Sequence, residues 1–157
     1  MKGEPRLRFS VFMAEHLEAL GQLIEETIER SYAGVYGPGA RRFFKDYHCR
    51  ENILKDAATG YTILAWRAGE LAGTGTLVGE DIRRVFINPG CQRNGIGRLI
   101  MAELESQARS RGLRRVSLSA SLPALEFYRR LGYSITAEAC EDCNGDPLRY
   151  YEMAKEL

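Results

Sequence analysis

The sequence is short of the residues that build metal centres. It has two histidines, His16 and His48, and four cysteines, Cys49, Cys91, Cys140 and Cys143. Only Cys140-x-x-Cys143 has motif spacing. With no second pair and so few histidines, the further ligands of a tetrahedral zinc site are lacking, so no metal is expected. The same spacing suits a redox pair or, more simply, two reduced thiols at a strand end. Charge of one sign is also lacking. The net charge is +1, so no whole-protein field marks a nucleic-acid or membrane partner. No apolar run approaches the ~20 residues that span a bilayer. Met1 to Arg8 is charged and has no apolar signal core, which leaves a cytoplasmic location as the expectation. Repeats, low-complexity tracts and linkers are absent. What remains is an ordinary apolar and charged balance (45% and 27%) in 157 residues. That is one domain, residues 1–157, able to bury a core without metals or disulfides.

The most informative stretch is Val85-Phe86-Ile87-Asn88-Pro89-Gly90-Cys91-Gln92-Arg93-Asn94-Gly95-Ile96-Gly97-Arg98. Val85 to Ile87 is a β-branched and aromatic run that suits a strand, and Asn88-Pro89-Gly90 ends it. Beyond it, Ile96, Ile100, Leu104 and Ala108 recur every fourth residue, the apolar stripe of a helix, with Leu99 beside them. Gly112 stands where a left-handed cap would close that helix. A helix start offers free N–H groups and the positive end of the dipole, so it holds anions. Gly95 and Gly97 have no Cβ to keep a phosphate away, and Arg93 and Arg98 add permanent positive charge. The stretch reads as a pyrophosphate cradle, with Cys91 a modifiable thiol within it. A Walker loop would need Lys and Ser or Thr after its last glycine, where Ile96-Gly97 stands. Gly73-Thr74-Gly75 lacks the third glycine of a dinucleotide fingerprint.

Around this centre the chain alternates helices and strands. Arg6 to Phe12 puts Leu7, Phe9 and Val11 on one face of a half-buried strand. A helix follows over Ala14 to Tyr32, with Leu17, Leu20, Ile24 and Ile28 buried. Tyr32 to Gly39 is a glycine-rich loop, and a second helix runs from Ala40 to about Leu54. Strands are expected over Tyr61 to Arg67, Leu71 to Val78 and Ile82 to Ile87. After the core helix come a strand (Arg115 to Ala120), a short helix (Pro123 to Leu131), a strand (Tyr133 to Ala139), a polar turn (Cys140 to Pro147) and a final strand (Leu148 to Leu157). The order βααβββαβαββ is α+β, with a mixed sheet flanked by helices.

Gln92-Arg93-Asn94-Gly95-Ile96-Gly97 resembles the acetyl-CoA loop, Gln/Arg-x-x-Gly-x-Gly/Ala, of the GCN5-related N-acetyltransferases (GNAT superfamily). Ala124-Leu125-Glu126-Phe127-Tyr128-Arg129-Arg130-Leu131-Gly132-Tyr133 resembles that family's Ala-x-x-Phe-Tyr-x-x-x-Gly-Phe/Tyr signature. The likeness is sequence-specific from Asp81 to about Tyr133; elsewhere it rests on element order, whose mostly antiparallel central sheet is the family's.

The resemblance implies an acetyl-CoA-dependent N-acetyltransferase. It would transfer the acetyl group directly to a primary amine in a ternary complex. The amine could belong to a small molecule, a polyamine, a lysine or an N-terminus. A longer acyl group, or a non-catalytic acyl-CoA-binding module, are the rival readings. By the same likeness Val85, Phe86 and Ile87 bind pantetheine through backbone atoms, while Gln92, Arg93, Asn94, Gly95, Ile96, Gly97 and Arg98 hold the pyrophosphate. Tyr128 faces the thioester sulfur as general acid; a core tyrosine is the plainer reading. Two positions depart from the pattern: Ser121 replaces a frequent asparagine, and Cys91 a frequent aromatic. Asp81, at the head of the central strand, is the candidate base, with Glu80 and Glu152 behind it and a solvated turn residue as the plain alternative. Tyr32 and Tyr36, with the second helix, are expected to wall the acceptor site. Many relatives dimerise through their C-terminal strands, which this sequence allows.

Overall fold

A computed structural model describes residues 6–92 and 94–157. Its elements are β1 (Leu7–Val11), α1 (Leu17–Tyr32), α2 (Pro38–Tyr47), α3 (Arg50–Thr59), β2 (Tyr61–Arg67), β3 (Glu70–Val78), β4 (Asp81–Ile87), α4 (Ile96–Ser110), β5 (Arg115–Ser121), α5 (Leu125–Arg130), β6 (Ser134–Cys143) and β7 (Asp146–Glu156). The strands form one sheet in the order β1-β2-β3-β4-β5-β7-β6. Every neighbouring pair is antiparallel except β4 and β5. Among the described residues no helix is long and apolar enough to cross a membrane.

The α+β class and mixed sheet are as expected, but the helix expected over Ala40 to Leu54 is two. His48 and Cys49 part them. Cys49 is extended (φ −66°, ψ 164°) at the start of α3, and no glycine or proline marks the break. The two helices reach different partners: Ala40 of α2 packs with Tyr36 and Leu148 and Ile53 of α3 with α1 and β2, while Phe44 touches both clusters. The polar turn expected from Cys140 to Pro147 shrinks to Asn144-Gly145, both at positive φ (53° and 88°), the residue pair that a two-residue hairpin prefers. Cys140 and Cys143 therefore lie in β6. The face of β1 expected to be buried is partly open, with Phe9 37% and Val11 57% exposed.

The sheet is covered on both sides. Ile96, Ile100, Met101, Leu104 and Ala108 of α4 pack against Ile63, Leu77, Ile82 and Leu118 on one face. Gly73 and Gly75 permit the approach, since a Cβ on Gly75 would lie 2.7 Å from Leu104 Cδ1. On the other face Leu20, Ile24 and Ile28 of α1 meet Ile53, Leu64 and Phe86. At ~1.5–3 kcal/mol for each fully buried aliphatic side chain, these two layers dominate the folding energy.

A β-bulge in β4 explains how one strand feeds both layers. Thr74 pairs with Phe86 and Thr76 with Arg83, so Arg84 and Val85 together face Gly75. Arg84 takes the strain, with φ at +53°. The extra residue flips the alternation, so Ile82 points to α4 while Phe86 points to α1 and α3. The Arg84 side chain is 3% exposed and donates through Nη1 to Asp56 Oδ2; Arg83 Nη1 donates to Asp56 Oδ1 at 3.2 Å. Burial pushes the Asp56 carboxyl up, but Arg84 and Arg83 outweigh it and hold the group below its ordinary value.

This ion network generates a stability prediction. Asp56→Asn leaves Arg84 buried without its counter-ion, a loss of about 3–5 kcal/mol, read as a fall in Tm of roughly 6–20 °C for a domain of this size. Because the folded-state pKa of Asp56 is depressed, its contribution is present above the ordinary carboxyl value of 3.8 and fades as pH falls through the lower folded value. Thermal melts should therefore show the wild-type advantage full at neutral pH and shrinking below pH 4; an equal Tm at pH 7 would remove the network from the stability of the bulge.

Candidate functional site

The parallel pairing of β4 with β5 covers only Asp81 with Ser117 and Ile82 with Leu118. Beyond that point no register is shared, and the two strands part. A cleft of about 220 Å³ opens there. Its floor is β4 from Asp81 to Phe86. Ser119, Ser121 and Tyr128 form the β5 side, Tyr32, Phe43, Phe44, Tyr47 and His48 the helical side, and Glu141, Leu148 and Tyr150 the hairpin side.

Tyr128 and Asp81 both line this cleft. Tyr128 is 6% exposed, with its ring edge-on to Phe127 and Tyr133. Burial, with a smaller contribution from Tyr32, pushes its phenol well above the usual range. The hydroxyl therefore keeps its proton at neutral pH. Asp81 is half-exposed and accepts from Arg83 Nε at 2.6 Å. Burial raises its pKa, and Arg83 offsets only part of that rise. Glu152 lies outside the cleft lining, half-buried, and accepts from Ser119 Oγ at 3.0 Å.

The two tyrosines of the expected acceptor wall part company. Tyr32 lines the cleft and donates to Ser121 Oγ at 3.3 Å, so one hydrogen bond joins α1 to the end of β5. Tyr36 does not reach the cleft. It is 3% exposed; its hydroxyl donates to Arg149 C=O at 2.7 Å and accepts from Leu122 N–H at 2.9 Å. Burial pushes this phenol up to about 12. Tyr36 is a strut that ties the helical layer to β7 and to the turn before α5. The Tyr32, Tyr36 and Phe44 rings meet edge-on with centroids 4.9–5.4 Å apart, which fixes the strut.

The predicted cradle closes one end of the cleft's floor strand. Val85 and Phe86 line the cleft, whereas the Ile87 side chain packs into the α4 layer. Gln92 Nε2 donates to Ile87 C=O at 3.2 Å, which pins the loop to the end of β4. Gly95 caps α4 in the left-handed conformation (φ 74°), and α4 has no side-chain cap. A Cβ on Gly95 would meet open space, but one on Gly97 would lie 3.0 Å from Phe127 Cζ. Gly97 is therefore needed for α4 to pass close to α5, the helix of Tyr128. Asn94 and Arg98 are exposed and Ile96 is buried. Arg93 lies outside the described residues.

Several site residues escaped the sequence reading. Arg84 and His48 line the cleft, with Asp56 behind them as the partner of Arg84. His48 stands edge-on to Tyr47 and Phe86, and burial, then the charge of Arg84, pushes its pKa down to about 3, so it is a neutral imidazole. The one local signal was a charged residue, Arg84, at an inward-facing position of β4. Glu141 and Tyr150 reach the cleft only through the β6–β7 pairing, where Tyr150 Oη donates to Glu141 Oε1 at 3.2 Å. Cys140 is exposed and Cys143 buried, three residues apart on one strand, so they face opposite sides of β6.

Known proteins share this arrangement. Residues 26–157 match the model of the acetyltransferase (GNAT) domain. The structure superposes on a GCN5-related N-acetyltransferase of Rhodopseudomonas palustris with TM-score 0.87, at 22% identity, covering 100% of this chain and 98% of that one. It superposes on the PaiA N-acetyltransferase of Thermoplasma acidophilum, solved with coenzyme A, with TM-score 0.79 at 18% identity over 97% and 99%. A 55-residue stretch, 35% of this chain, is 34% identical to serotonin N-acetyltransferase 2 of Oryza sativa subsp. japonica, and the chain spans 28% of that protein's length. A family model matched over most of the chain, on a sheet that parts between β4 and β5, places this protein: it belongs to the GNAT acetyltransferase family.

Proposed function

We propose that the protein is an acetyl-CoA-dependent N-acetyltransferase that carries the acetyl group directly to a primary amine within a ternary complex. The observation that carries this reading is three features set along β4 and just beyond its end. These are the parted β4 and β5, the left-handed Gly95 at an uncapped α4 start, and Tyr128 on the cleft wall. The chain's residues fit the donor. An α4 terminus without a side-chain cap suits a pyrophosphate, and open space at Gly95 leaves its backbone approachable. The β4 edge from Val85 to Ile87 lies along the parting, where an extended pantetheine arm can pair as a strand does. Gln92, Asn94, Gly95, Ile96, Gly97 and Arg98 would hold the pyrophosphate, with Arg93 in the same loop, and Ser121 would lie beside the arm. The donor supplies an activated thioester.

The chain's own groups supply the rest. Tyr128 keeps its proton at neutral pH and, on the cleft wall, serves as hydrogen-bond donor to the departing sulfur. Asp81 accepts the ammonium proton of the acceptor, directly or through water. An alkylamine with a pKa of about 10.4 is nucleophilic in only about one molecule in a few thousand at pH 7, so proton removal matters. Tyr32 walls the acceptor side and fixes Ser121 opposite it.

Calorimetric titration with acetyl-CoA should give one binding site, weakened severalfold by Arg98→Glu. Absence of any binding would end the donor assignment. Tyr128→Phe should lower kcat by about 10- to 100-fold with the acetyl-CoA Kd within about twofold of wild type. An unchanged kcat would make Tyr128 a packing residue. Asp81→Asn should lower kcat/KM by at least about tenfold at pH 7, with the loss shrinking toward pH 10 as free amine becomes abundant. A mutant whose pH profile overlays the wild type would take Asp81 out of the mechanism.

A further inference from the structure

The floor of the cleft, with the carboxylate behind it, holds four charges that cancel. Arg83 and Arg84 are matched by Asp56 and Asp81 through the bonds Arg83–Asp81, Arg83–Asp56 and Arg84–Asp56. His48 beside them is neutral. The floor therefore presents no surplus charge to an acceptor. The mouth is different. Glu141 stands on the hairpin wall and, among the described residues, has no cationic partner; its hydrogen bond comes from the neutral Tyr150 hydroxyl. Glu152 lies behind Ser119, also without a cation among the described residues. On the helical side of the same cleft Phe43 and Tyr47, one turn apart on α2, hold their rings nearly parallel (11°). They stay 40% and 45% exposed. Exposed flat rings and a carboxylate without a cationic partner, lining one cleft, suit a cation, which the rings attract by their faces and the carboxylate by its charge.

We infer that the acceptor carries a second cationic group besides the amine that is acetylated, held at the mouth by Glu141 and the rings of Phe43, Tyr47 and Tyr150. This rests on the acetyltransferase reading and specifies its substrate class as diamines and related dications. An acceptor bearing a carboxylate at the same place would face Glu141 and find both guanidiniums already engaged. The geometry therefore selects against free amino acids of matching length.

The test is steady-state kinetics with acetyl-CoA on three matched series: straight-chain diamines, monoamines of the same length, and ω-amino carboxylates. The best diamine should exceed its matched monoamine in kcat/KM by about tenfold or more, mainly through KM, and the amino carboxylates should be poorest. Glu141→Gln should close most of that gap while leaving the monoamines within about twofold. Tyr47→Leu should narrow it and keep the order of the series. Equal rates for diamine and monoamine, a preference for the amino carboxylate, or an undiminished gap in Glu141→Gln would each overturn the inference while leaving the acetyltransferase standing. If no amine is turned over, the acetyltransferase reading fails instead. The mouth is then read by calorimetric titration of the protein with the diamine: binding that Glu141→Gln abolishes supports a cation site, and absence of binding overturns it.

Discussion

The structure depends on one strained residue and the carboxylate that holds it. Arg84 at φ +53° would relax into a regular strand if nothing opposed it, since a left-handed backbone costs a non-glycine residue roughly 1 kcal/mol or more. Asp56, 28 positions earlier on α3, opposes it by binding both Arg84 and Arg83. The bulge so fixed lets Ile82 serve one layer and Phe86 the other. It also leaves Val85 to line the cleft where β4 and β5 diverge. Layer packing and site geometry are therefore set by the same extra residue. The ion network is best understood as a specificity device, which selects one register of β4, rather than as a source of net stability.

The parts of this design that were legible in the sequence are those written in local pattern. The α4 stripe, the Gly112 cap and the run from strand through loop to helix around Gly95 all follow from periodicity and from glycine's conformational range. The Asn144-Gly145 turn was equally local; the polar residues around it obscured a two-residue hairpin. What local pattern could not show were tertiary decisions. The break at His48-Cys49 has no glycine or proline because it arises from two helices docking on different surfaces. The bulge was invisible because its cause, Asp56, lies on another element. Glu141 joined the site through strand register, and Tyr36 left it because two backbone groups, Leu122 N–H and Arg149 C=O, claim its hydroxyl.

Gly97 shows why the glycines of a nucleotide loop cannot all be read as making room for phosphate. Gly95 has a left-handed backbone and open space around it, so its demand is conformational and its vicinity is free for a ligand. Gly97 has an ordinary helical backbone but sits against Phe127, the neighbour of Tyr128. A side chain there would push on α5 before it touched any donor. The loop that would hold the pyrophosphate and the helix that carries Tyr128 are thus in mechanical contact. Bulk at Gly97 therefore tests their packing as much as binding, whereas a change at Arg98, exposed on the first turn of α4, bears on binding alone.

The same balance of charges shapes the chemistry expected of Asp81. Burial raises its proton affinity and Arg83 lowers it, and burial prevails. When Asp81 takes a proton, the floor changes from neutral to +1, with Arg84 buried alongside. Arg83 then keeps only Asp56, which Arg84 already claims. The half-exposed edge of Asp81 gives that proton a way out to solvent. Under the proposed mechanism, a carboxylate so placed would take a proton from the bound ammonium and pass it to solvent. On that reading the network that fixes the bulge would also reset the base, so deprotonation would fall to the floor and acceptor recognition to the mouth.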